Sequence, residues 1–450
     1  MRVWTAFASL PLTCAIMMAC SSEGGSSEPN GPEPDASTEP PVSPEAGSPD
    51  ASDPDAGARD AGPLKPLDVV CADASTCYVG VSGNGSRHVC GLLQDSTVRC
   101  WGRDSLDPPV TADGGVSVGD GALGRGVAVS RLDGATPTTV VGLSDVTQVS
   151  VGPNFGTCAR TSDGSVYCWG KNELGQLGRP RSEERLPTPT RVEGIPPVDH
   201  VELGSSLGCA IGSSDRALYC WGWWRSGLGI PEDFASPSFA PQLVTTFRAP
   251  VKALAIGSYG PTTLYPWGYA ELADTIVALL DGNVVATLGK NVLRGDSAYP
   301  TSGPSERSGI DWIGAFAYAT SDGFFRRWLP AEETVYIPAF APAIELKVSA
   351  DTEAVTALQG GVVTTTGRLF RWGPNPAGAL GVGPSELSRT PYPVEVEQVR
   401  GRVVSFATTV GSTCALLVDG KVKCWGANVY GELGRGTTDL NAHPEPEVVR

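Results

Sequence analysis

Ten of the twelve cysteines fall into five pairs whose spacing suits disulfide formation. In four pairs the partners stand about ten residues apart on either side of a turn, where facing strands bring Cβ atoms close enough to bridge. The fifth pair closes a short loop. The pairs are Cys71 with Cys77, Cys90 with Cys100, Cys158 with Cys168, Cys209 with Cys220, and Cys414 with Cys424. Five bridges indicate an oxidising compartment.

Metal binding is the alternative chemistry for these cysteines. Zinc sites use two close Cys pairs, or Cys together with His. Here the partners are about ten residues apart and the whole chain contains three His. The spacing therefore favours disulfides, and we expect neither a metal nor another cofactor.

Several short motifs are compatible with catalysis, but each lacks its structural context. Gly115–Gly119 fits a nucleophile elbow, which requires a strand, a sharp turn and a helix. Gly119–Gly124 fits a dinucleotide fingerprint without opening a helix. His88, His200 and His443 stand far apart, and no carboxylate pair for glycoside chemistry can be singled out. We therefore expect no enzymatic activity.

The N-terminus indicates how the chain reaches an oxidising compartment. Met1–Ala19 has one Arg followed by an apolar run too short to span a bilayer, which is typical of a signal peptide. Ile16–Ser22 resembles a bacterial lipobox, so Cys20 is predicted to be acylated. With Cys14 removed and Cys20 lipidated, the other ten cysteines are all paired. Plain secretion with a leftover thiol is the alternative to a bacterial lipoprotein.

Residues 20–63 have the composition of a linker. After Cys20 the segment is rich in Ser, Pro, Gly, Asp and Glu, which favours an extended, solvated chain. It contains ten acidic residues and one basic residue, so about nine of the sixteen net negative charges belong to it. Because binding to nucleic acid needs a basic face, this charge balance excludes nucleic acid as a partner.

The cysteine pairs belong to a phrase that recurs through the chain. Its best copies run from Cys158 to Gly178 and from Cys414 to Gly434, and both contain Asp-Gly, Cys-Trp-Gly and Leu-Gly. Five weaker copies keep parts of it, namely Asp95 with Trp101–Gly102, Asp215 with Trp221–Gly222, Asp281–Gly282, Asp322–Gly323 with Trp328, and Thr366–Gly367 with Trp372–Gly373. A unit repeated seven times determines the architecture.

Each copy is predicted to form a small antiparallel sheet. Runs such as Val198–Leu203 and Val403–Ala407 alternate as half-buried strands do. The Asp-Gly step supplies the positive φ of a tight hairpin. Such sheets bury their faces by stacking radially, and we interpret the Trp of each Trp-Gly as a wedge between neighbouring sheets. A platform for a ligand is the alternative role for these Trp residues.

This pattern resembles the repeat of the regulator of chromosome condensation family, over about Leu64 to Arg450. The resemblance implies an all-β fold, a seven-bladed β-propeller of residues 64–450. The consensus His survives only as His88 and is replaced by Gly156 and Ser412 in the two best copies. An exported chain meets neither chromatin nor a nuclear GTPase, so those family roles are not expected. Some secreted bacterial propellers of this repeat type inhibit enzymes.

The last residues suggest how the ring closes. Glu445–Arg450 resembles the segments 189–192 and 391–394, which are predicted as outer strands leading into the next blade. We therefore predict that it completes the first blade.

Two irregular regions carry aromatic and Arg residues typical of interfaces. Trp223, Trp224 and Arg225 follow the third Trp-Gly, and Phe324–Arg327 follows the fifth Asp-Gly. Trp, Tyr and Arg dominate interface hot spots, so the first group is the predicted contact patch. The alternative is that these residues cover a degenerate blade and only pack.

Together these features predict a surface-tethered binding module that engages a protein partner through propeller loops. We expect a monomer in the cell envelope, held by the lipid at Cys20. Ser21 after the acylated Cys is typical of delivery to the outer membrane. A propeller that binds or degrades polysaccharide is the alternative function.

Overall fold

The computed structural model describes residues 67–104, 119–127, 129–223, 239–245, 247, 249–259, 273–282, 284–289, 301–305, 310–314, 317–320, 324–327, 345–347, 355–358, 361–382 and 389–450. The predicted signal peptide, Cys20 and the linker lie outside the described residues, as do Trp224 and Arg225. Residues 61–450 form one compact unit.

The described residues form seven four-stranded sheets, each built from four consecutive antiparallel strands. Sheet 1 contains β1 (Tyr78–Ser82), β2 (His88–Leu93), β3 (Val98–Gly102) and β4 (Thr138–Thr139). Sheet 2 contains β5 (Val146–Val151), β6 (Gly156–Thr161), β7 (Val166–Lys171) and β8 (Arg185–Arg191). Sheet 3 contains β9 (Val198–Leu203), β10 (Leu207–Gly212), β11 (Leu218–Gly222) and β12 (Gln242–Leu243). A short helix, α1 (Arg131–Gly134), precedes β4.

The remaining sheets follow the same order along the chain. Sheet 4 contains β13 (Val251–Tyr259), β14 (Ala273–Leu280), β15 (Val284–Gly289) and β16 (Thr301–Ser305). Sheet 5 contains β17 (Ile310–Gly314), β18 (Ala317–Thr320), β19 (Phe324–Arg327) and β20 (Glu345–Lys347). Sheet 6 contains β21 (Val355–Leu358), β22 (Gly361–Thr364), β23 (Leu369–Pro374) and β24 (Arg389–Glu395). Sheet 7 contains β25 (Val403–Thr408), β26 (Ser412–Leu417), β27 (Val422–Ala427) and β28 (Ala442–Val448), and the 3-10 turns Pro376–Gly378 and Glu397–Val399 lie in connections.

Each repeat copy corresponds to one sheet, with its Asp-Gly step between the second and third strands. In sheet 2, Gly164 has a φ of +80° and Asp163 Oδ1 accepts the Ser165 N–H at 3.0 Å. In sheet 3, Arg216 takes the same left-handed conformation with a φ of +53°. The Asp side chain therefore shapes the turn even where Gly is missing. Phe324–Arg327 is a strand in sheet 5, rather than the irregular connection that the sequence suggested.

The ten paired cysteines form five disulfides, in the same pairs that their spacing predicted. In sheets 1, 2, 3 and 7 the bridge joins residues that face each other directly on the second and third strands. All eight of these cysteines are fully buried. Each bridge is therefore part of the core that its sheet shares with a neighbour.

The tryptophans of Trp-Gly connect neighbouring sheets, as predicted. Trp101, Trp169, Trp221 and Trp425 are fully buried. Trp169 of sheet 2 donates its indole N–H to the Ala122 carbonyl oxygen of sheet 1 at 3.1 Å. Trp221 of sheet 3 donates to Gln176 O of sheet 2 at 2.9 Å. Each ring also packs on Leu and Val side chains of that preceding sheet, so apolar burial and a hydrogen bond act at the same joint.

Sheet 7 contacts sheet 1, so the succession of sheets returns to its start. The Trp101 indole N–H donates to Glu432 O at 2.9 Å. Backbone hydrogen bonds run from Gly85 N to Thr408 O and from Val410 N to Ser86 O. The prediction that the last residues complete the first blade is wrong, because β28 pairs with β27 inside sheet 7. Loop and side-chain contacts therefore join sheet 7 to sheet 1 at this junction, in place of the predicted strand shared between them.

The N-terminal part of the described chain adds to the same junction. Val70 N–H donates to Val418 O at 2.7 Å, and Tyr78 N–H donates to Gly420 O at 2.8 Å. The Cys71–Cys77 disulfide closes the loop between these two contacts. This bridge therefore holds the start of sheet 1 against the hairpin turn of sheet 7.

Among the described residues, no helix has the length and apolar character needed to cross a membrane.

Candidate functional site

The sheets present two kinds of connection at opposite edges. One edge carries the Asp-Gly turns. The other carries the loops between third and fourth strands, and we call it the loop face. Loops generally carry function on rigid scaffolds, so the loop face is where a binding site is sought.

A buried side chain two positions after each Trp-Gly holds the loop that follows. In sheet 2, Asn172 Oδ1 accepts the Leu177 N–H at 3.0 Å, and its Nδ2 donates to Arg179 O, Pro180 O and Glu183 O. The same acceptor contact recurs in three other sheets, from Leu123 N to Asp104, from Leu380 N to Asn375, and from Leu433 N to Asn428. This clamp explains why the repeat joins Trp-Gly to Leu-Gly.

Sheet 3 has Trp224 at the clamp position, where the other four sheets have Asn or Asp. The predicted contact patch therefore replaces a loop-holding residue. Its first member, Trp223, is half-buried on the loop face and donates its backbone N–H to Ser206 O at 2.8 Å. Trp224 and Arg225 lie outside the described residues, so the patch as a whole stays a prediction.

The residue directly after Trp-Gly has an equivalent place in four sheets. Its backbone N–H donates to the carbonyl just before the second strand, in the pairs Arg103 to Arg87, Lys171 to Phe155, Trp223 to Ser206, and Ala427 to Gly411. This shared contact puts Arg103 of sheet 1 and Trp223 of sheet 3 at matching positions on the loop face.

Three guanidinium groups converge on one aromatic ring where sheets 7 and 1 meet. Arg103 lies 4.3 Å, Arg131 4.8 Å and Arg87 5.3 Å from the centre of the Tyr430 ring. We call these four residues the arginine cluster. Arg131 is exposed, and the other three are half-buried. A cation over an aromatic face is attracted by the ring quadrupole, so Tyr430 offsets part of the repulsion between the arginines.

Burial and the neighbouring positive charges both affect the pKa of Arg103 in the cluster. Desolvation lowers the pKa of Arg103, Tyr430 opposes this effect, and the charges of Arg87 and Arg131 add to it. Glu432 lies beneath, where burial raises the pKa of its carboxyl group and the two nearest arginines oppose that rise. The Glu432 side chain also accepts the Tyr430 backbone N–H at 2.7 Å. The cluster is thus a concentration of positive charge on a chain of net charge −16.

His88 lies in the core, away from any reacting surface. Its ring is fully buried between Ser86 Oγ at 2.7 Å from Nδ1 and Thr157 Oγ1 at 2.9 Å from Nε2. Burial lowers its pKa to about 3, so the ring stays neutral at physiological pH. The side chain joins sheets 1 and 2 rather than acting on a substrate.

His200 belongs to a polar group on the first strands of sheets 2 and 3. Its Nε2 lies 3.2 Å from Glu202 Oε1, and its Nδ1 lies 3.2 Å from the Gln148 amide nitrogen. The Ser150 hydroxyl oxygen accepts the Leu203 N–H at 3.0 Å. These contacts tie the two strands together. Within the described part of the chain, no three His, Cys, Asp or Glu side chains are grouped to hold a metal ion.

Sequence reasoning missed the arginine cluster. Its members come from segments more than 300 residues apart, which the fold brings together at the junction of sheets 7 and 1. One signal was present in the sequence. Arg103 directly follows Trp-Gly in the first copy, at the position that Trp223 has in the third.

Family models of the regulator of chromosome condensation (RCC1) repeat match the two best copies. One model matches residues 163–211, and a second matches residues 146–176 and 403–432. Residues 146–211 and 403–432 thus match the RCC1 repeat. These matches cover the Trp-Gly step, the clamp and the Leu-Gly step of sheet 2, and the Trp-Gly step and Asn428 of sheet 7.

Proteins of different kinds are similar to this chain over about three quarters of its length. The ultraviolet-B receptor UVR8 of Arabidopsis thaliana is 25% identical over 377 residues, covering 78% of each protein. The human E3 ubiquitin-protein ligase HERC2 is 29% identical over 354 residues, covering 76% of this chain. The chain spans only 6% of the length of HERC2. Its similarity to HERC2 is therefore confined to one region of a much larger protein.

Solved structures show the same fold. Prp20p of Saccharomyces cerevisiae, described with its binding to Gsp1p and histones, superposes with a TM-score of 0.61 at 19% identity, covering 84% of this chain and 88% of Prp20p. Human WBSCR16 superposes with a TM-score of 0.50 at 18% identity, covering 70% and 85%. The all-β fold is thus that of an RCC1-type β-propeller.

Proposed function

We propose that this chain is a binding module that engages a protein partner through the loop face of its propeller. The arginine cluster carries this proposal. Arg and Tyr are enriched among residues that dominate interface energies, and here three Arg and one Tyr are presented together, with Arg103 and Tyr430 close to clamp residues. Rigid presentation reduces the entropy lost on binding.

The relatives support a protein as the partner. Prp20p is a propeller of the same fold whose described partners, Gsp1p and histones, are proteins. For this chain a histone-like basic partner does not follow, because its loop face carries a positive cluster and would repel it. We infer a module without catalytic activity, in which specificity comes from the loops rather than from the repeat itself.

We further propose that the module is a monomer tethered to the cell envelope through lipid at Cys20. The lipobox-like segment and the acidic linker support this location, and five disulfides suit a compartment outside the reducing cytosol. Two acyl chains or more anchor a protein firmly without a membrane-spanning helix. The linker would then hold the propeller away from the membrane surface.

Affinity capture tests the binding role. The oxidised chain is immobilised and exposed to envelope and culture extracts, with proteins and glycans analysed separately. We expect a protein to be retained by the wild type and lost from Tyr430→Ala on the loop face, but kept by Lys421→Ala at the opposite, turn-bearing edge. Retention of a glycan fraction alone, or equal retention by both variants, would contradict the proposal.

Mass spectrometry of the N-terminal peptide tests the tether. Expression in a bacterium that processes lipoproteins should give a mature chain that begins at acylated Cys20. Cys20→Ser should stay unprocessed or be released. A mature chain that begins elsewhere, with a free thiol at Cys20, would remove the lipid anchor from the proposal while leaving the binding role intact.

A further inference from the structure

We propose that the arginine cluster is an anion-binding anchor that takes the Asp or Glu side chains of an acidic segment of the partner protein. This inference rests on the proposed binding function and specifies the chemistry of its partner. The cluster joins three guanidinium groups from two connections of sheet 1 around the single ring of Tyr430, which sheet 7 contributes.

The backbone beneath the cluster is held in place by contacts across the junction. Arg103 N–H donates to Arg87 O at 2.9 Å, which fixes the two Cα positions relative to each other. Gly436 N–H donates to Ala135 O at 2.9 Å, next to the helix that begins at Arg131. A side chain at Gly431 would overlap Ala135, so the Tyr430 loop lies directly against this segment. The anchor is therefore assembled before any partner arrives.

The charges around the cluster leave it positive. Glu432 lies under the ring and is buried, with its carboxylate bonded to the Tyr430 N–H. Asp120 is also buried, pairs with Arg185 3.3 Å away, and its charge opposes the lowering of the pKa of Arg103. Within the described ranges, no carboxylate lies within ion-pair distance of Arg87 or Arg131. At least two outward guanidinium groups thus remain for an added anion.

Carboxylates of a protein fit this geometry better than a sugar or a nucleic acid. A guanidinium binds a carboxylate through two parallel N–H···O bonds, and such charge-assisted bonds are among the strongest in proteins. A sugar ring would need the face of Tyr430, over which the guanidinium groups already lie. A nucleic acid would carry its charged backbone well beyond the cluster, where the net charge of −16 of the whole chain repels it.

Fluorescence anisotropy with a labelled hexaglutamate peptide tests the anchor directly. The full oxidised chain is titrated at low and at physiological salt. We expect saturable binding that weakens with salt, and a loss of about fivefold or more in affinity for Arg87→Gln/Arg131→Gln, because each lost charge pair costs on the order of one kcal/mol, or about fivefold in Kd. Arg191→Gln, an exposed arginine on β8, is the matched control and should bind as the wild type does.

Three outcomes would overturn the anchor: no saturable binding by the wild type, an equal loss in Arg191→Gln, or tighter binding of a hexauronate sugar of the same charge. Melting curves show whether the variants stay folded. Tyr430→Leu gives an independent check, because it removes the ring without removing positive charge and should also weaken peptide binding. If a captured partner bound Arg87→Gln/Arg131→Gln as tightly as the wild type, the anchor proposal would be wrong. The proposed binding function would not be affected by that result.

Discussion

The indole N–H of Trp101 donates to the carbonyl oxygen of Glu432, 331 residues further along the chain, at 2.9 Å. This bond joins sheet 1 to sheet 7, and the arginine cluster lies directly above it. The equivalent N–H of Trp425 has no acceptor among the described residues, and Ala379 O, the carbonyl at the equivalent position, accepts a hydrogen bond from Thr413 Oγ1. The joints between sheets are thus alike in packing and different in hydrogen bonding.

Replacing these two tryptophans by Phe should separate packing from hydrogen bonding. Both variants lose the same indole volume, but only Trp101→Phe also loses a buried hydrogen bond. We expect Trp101→Phe to lower the free energy of unfolding by about 1 kcal/mol more than Trp425→Phe does. Urea unfolding monitored by circular dichroism measures the difference. Equal losses would mean that the bond at the junction adds nothing to stability.

Exchanging Asn and Asp at the clamp should have opposite effects in two sheets. Asn172→Asp replaces three buried N–H···O contacts by a carboxylate facing carbonyl oxygens, so we expect a loss of about 2–3 kcal/mol at pH 7. Asp104→Asn should instead stabilise sheet 1. Burial raises the pKa of the Asp104 carboxyl, so the ionised form is disfavoured in the fold.

The pH dependence of the stability of Asp104→Asn tests whether burial of the ionised carboxyl group is the reason. The native state holds a proton on Asp104 more tightly than the unfolded state does, so the wild type gains stability relative to the variant as the pH falls through the raised pKa. The advantage of Asp104→Asn should therefore be largest at neutral pH and shrink in acid. If the stability advantage of Asp104→Asn did not change with pH, it would come from hydrogen bonding alone.

His88 should make the fold sensitive to mild acid. Its pKa is lowered by burial to about 3, below the ordinary value of 6.5. Below pH 6.5 the unfolded chain binds a proton that the native ring does not, so stability should fall by up to about 1.4 kcal/mol per pH unit until the pH approaches 3.

His88→Gln should remove this contribution from the slope of unfolding free energy against pH. Ser86→Ala keeps the ring but removes its 2.7 Å partner, so it should destabilise at every pH and leave the slope unchanged. Chemical denaturation between pH 4 and pH 7.5 measures both variants. A slope that persists in His88→Gln would place the acid sensitivity elsewhere.

The disulfides should contribute to the stability of the fold. Removing the Cys414–Cys424 bridge by a double change to Ser frees a loop of about ten residues, which should cost roughly 2–3 kcal/mol. Alkylation of the denatured, unreduced chain should leave the ten paired cysteines unmodified, and ten adducts should appear after reduction. Adducts on any of these ten before reduction would show an open pair.

The repeat made the sheets predictable from the sequence, because an Asp or Gly at the turn recurs in all seven copies and Trp-Gly recurs at a second fixed point in five of them. Val198–Leu203 was predicted as a strand and is β9. The place of the last strand was not predictable, since β28 resembles other fourth strands and the sequence pattern does not say which neighbour it pairs with. The arginine cluster was not predictable for a related reason. Arg87, Arg131 and Tyr430 lie in connections between strands, where no periodic sequence pattern relates distant residues.

Because every sheet is made of four consecutive strands, each can be completed as soon as its own stretch of chain is available. None has to wait for residues synthesised hundreds of positions later. Its cross-strand cysteines also meet within that stretch, so oxidation can proceed copy by copy with little chance of mispairing between copies. Such local assembly would allow whole copies to be gained or lost without disturbing the pairing of those that remain.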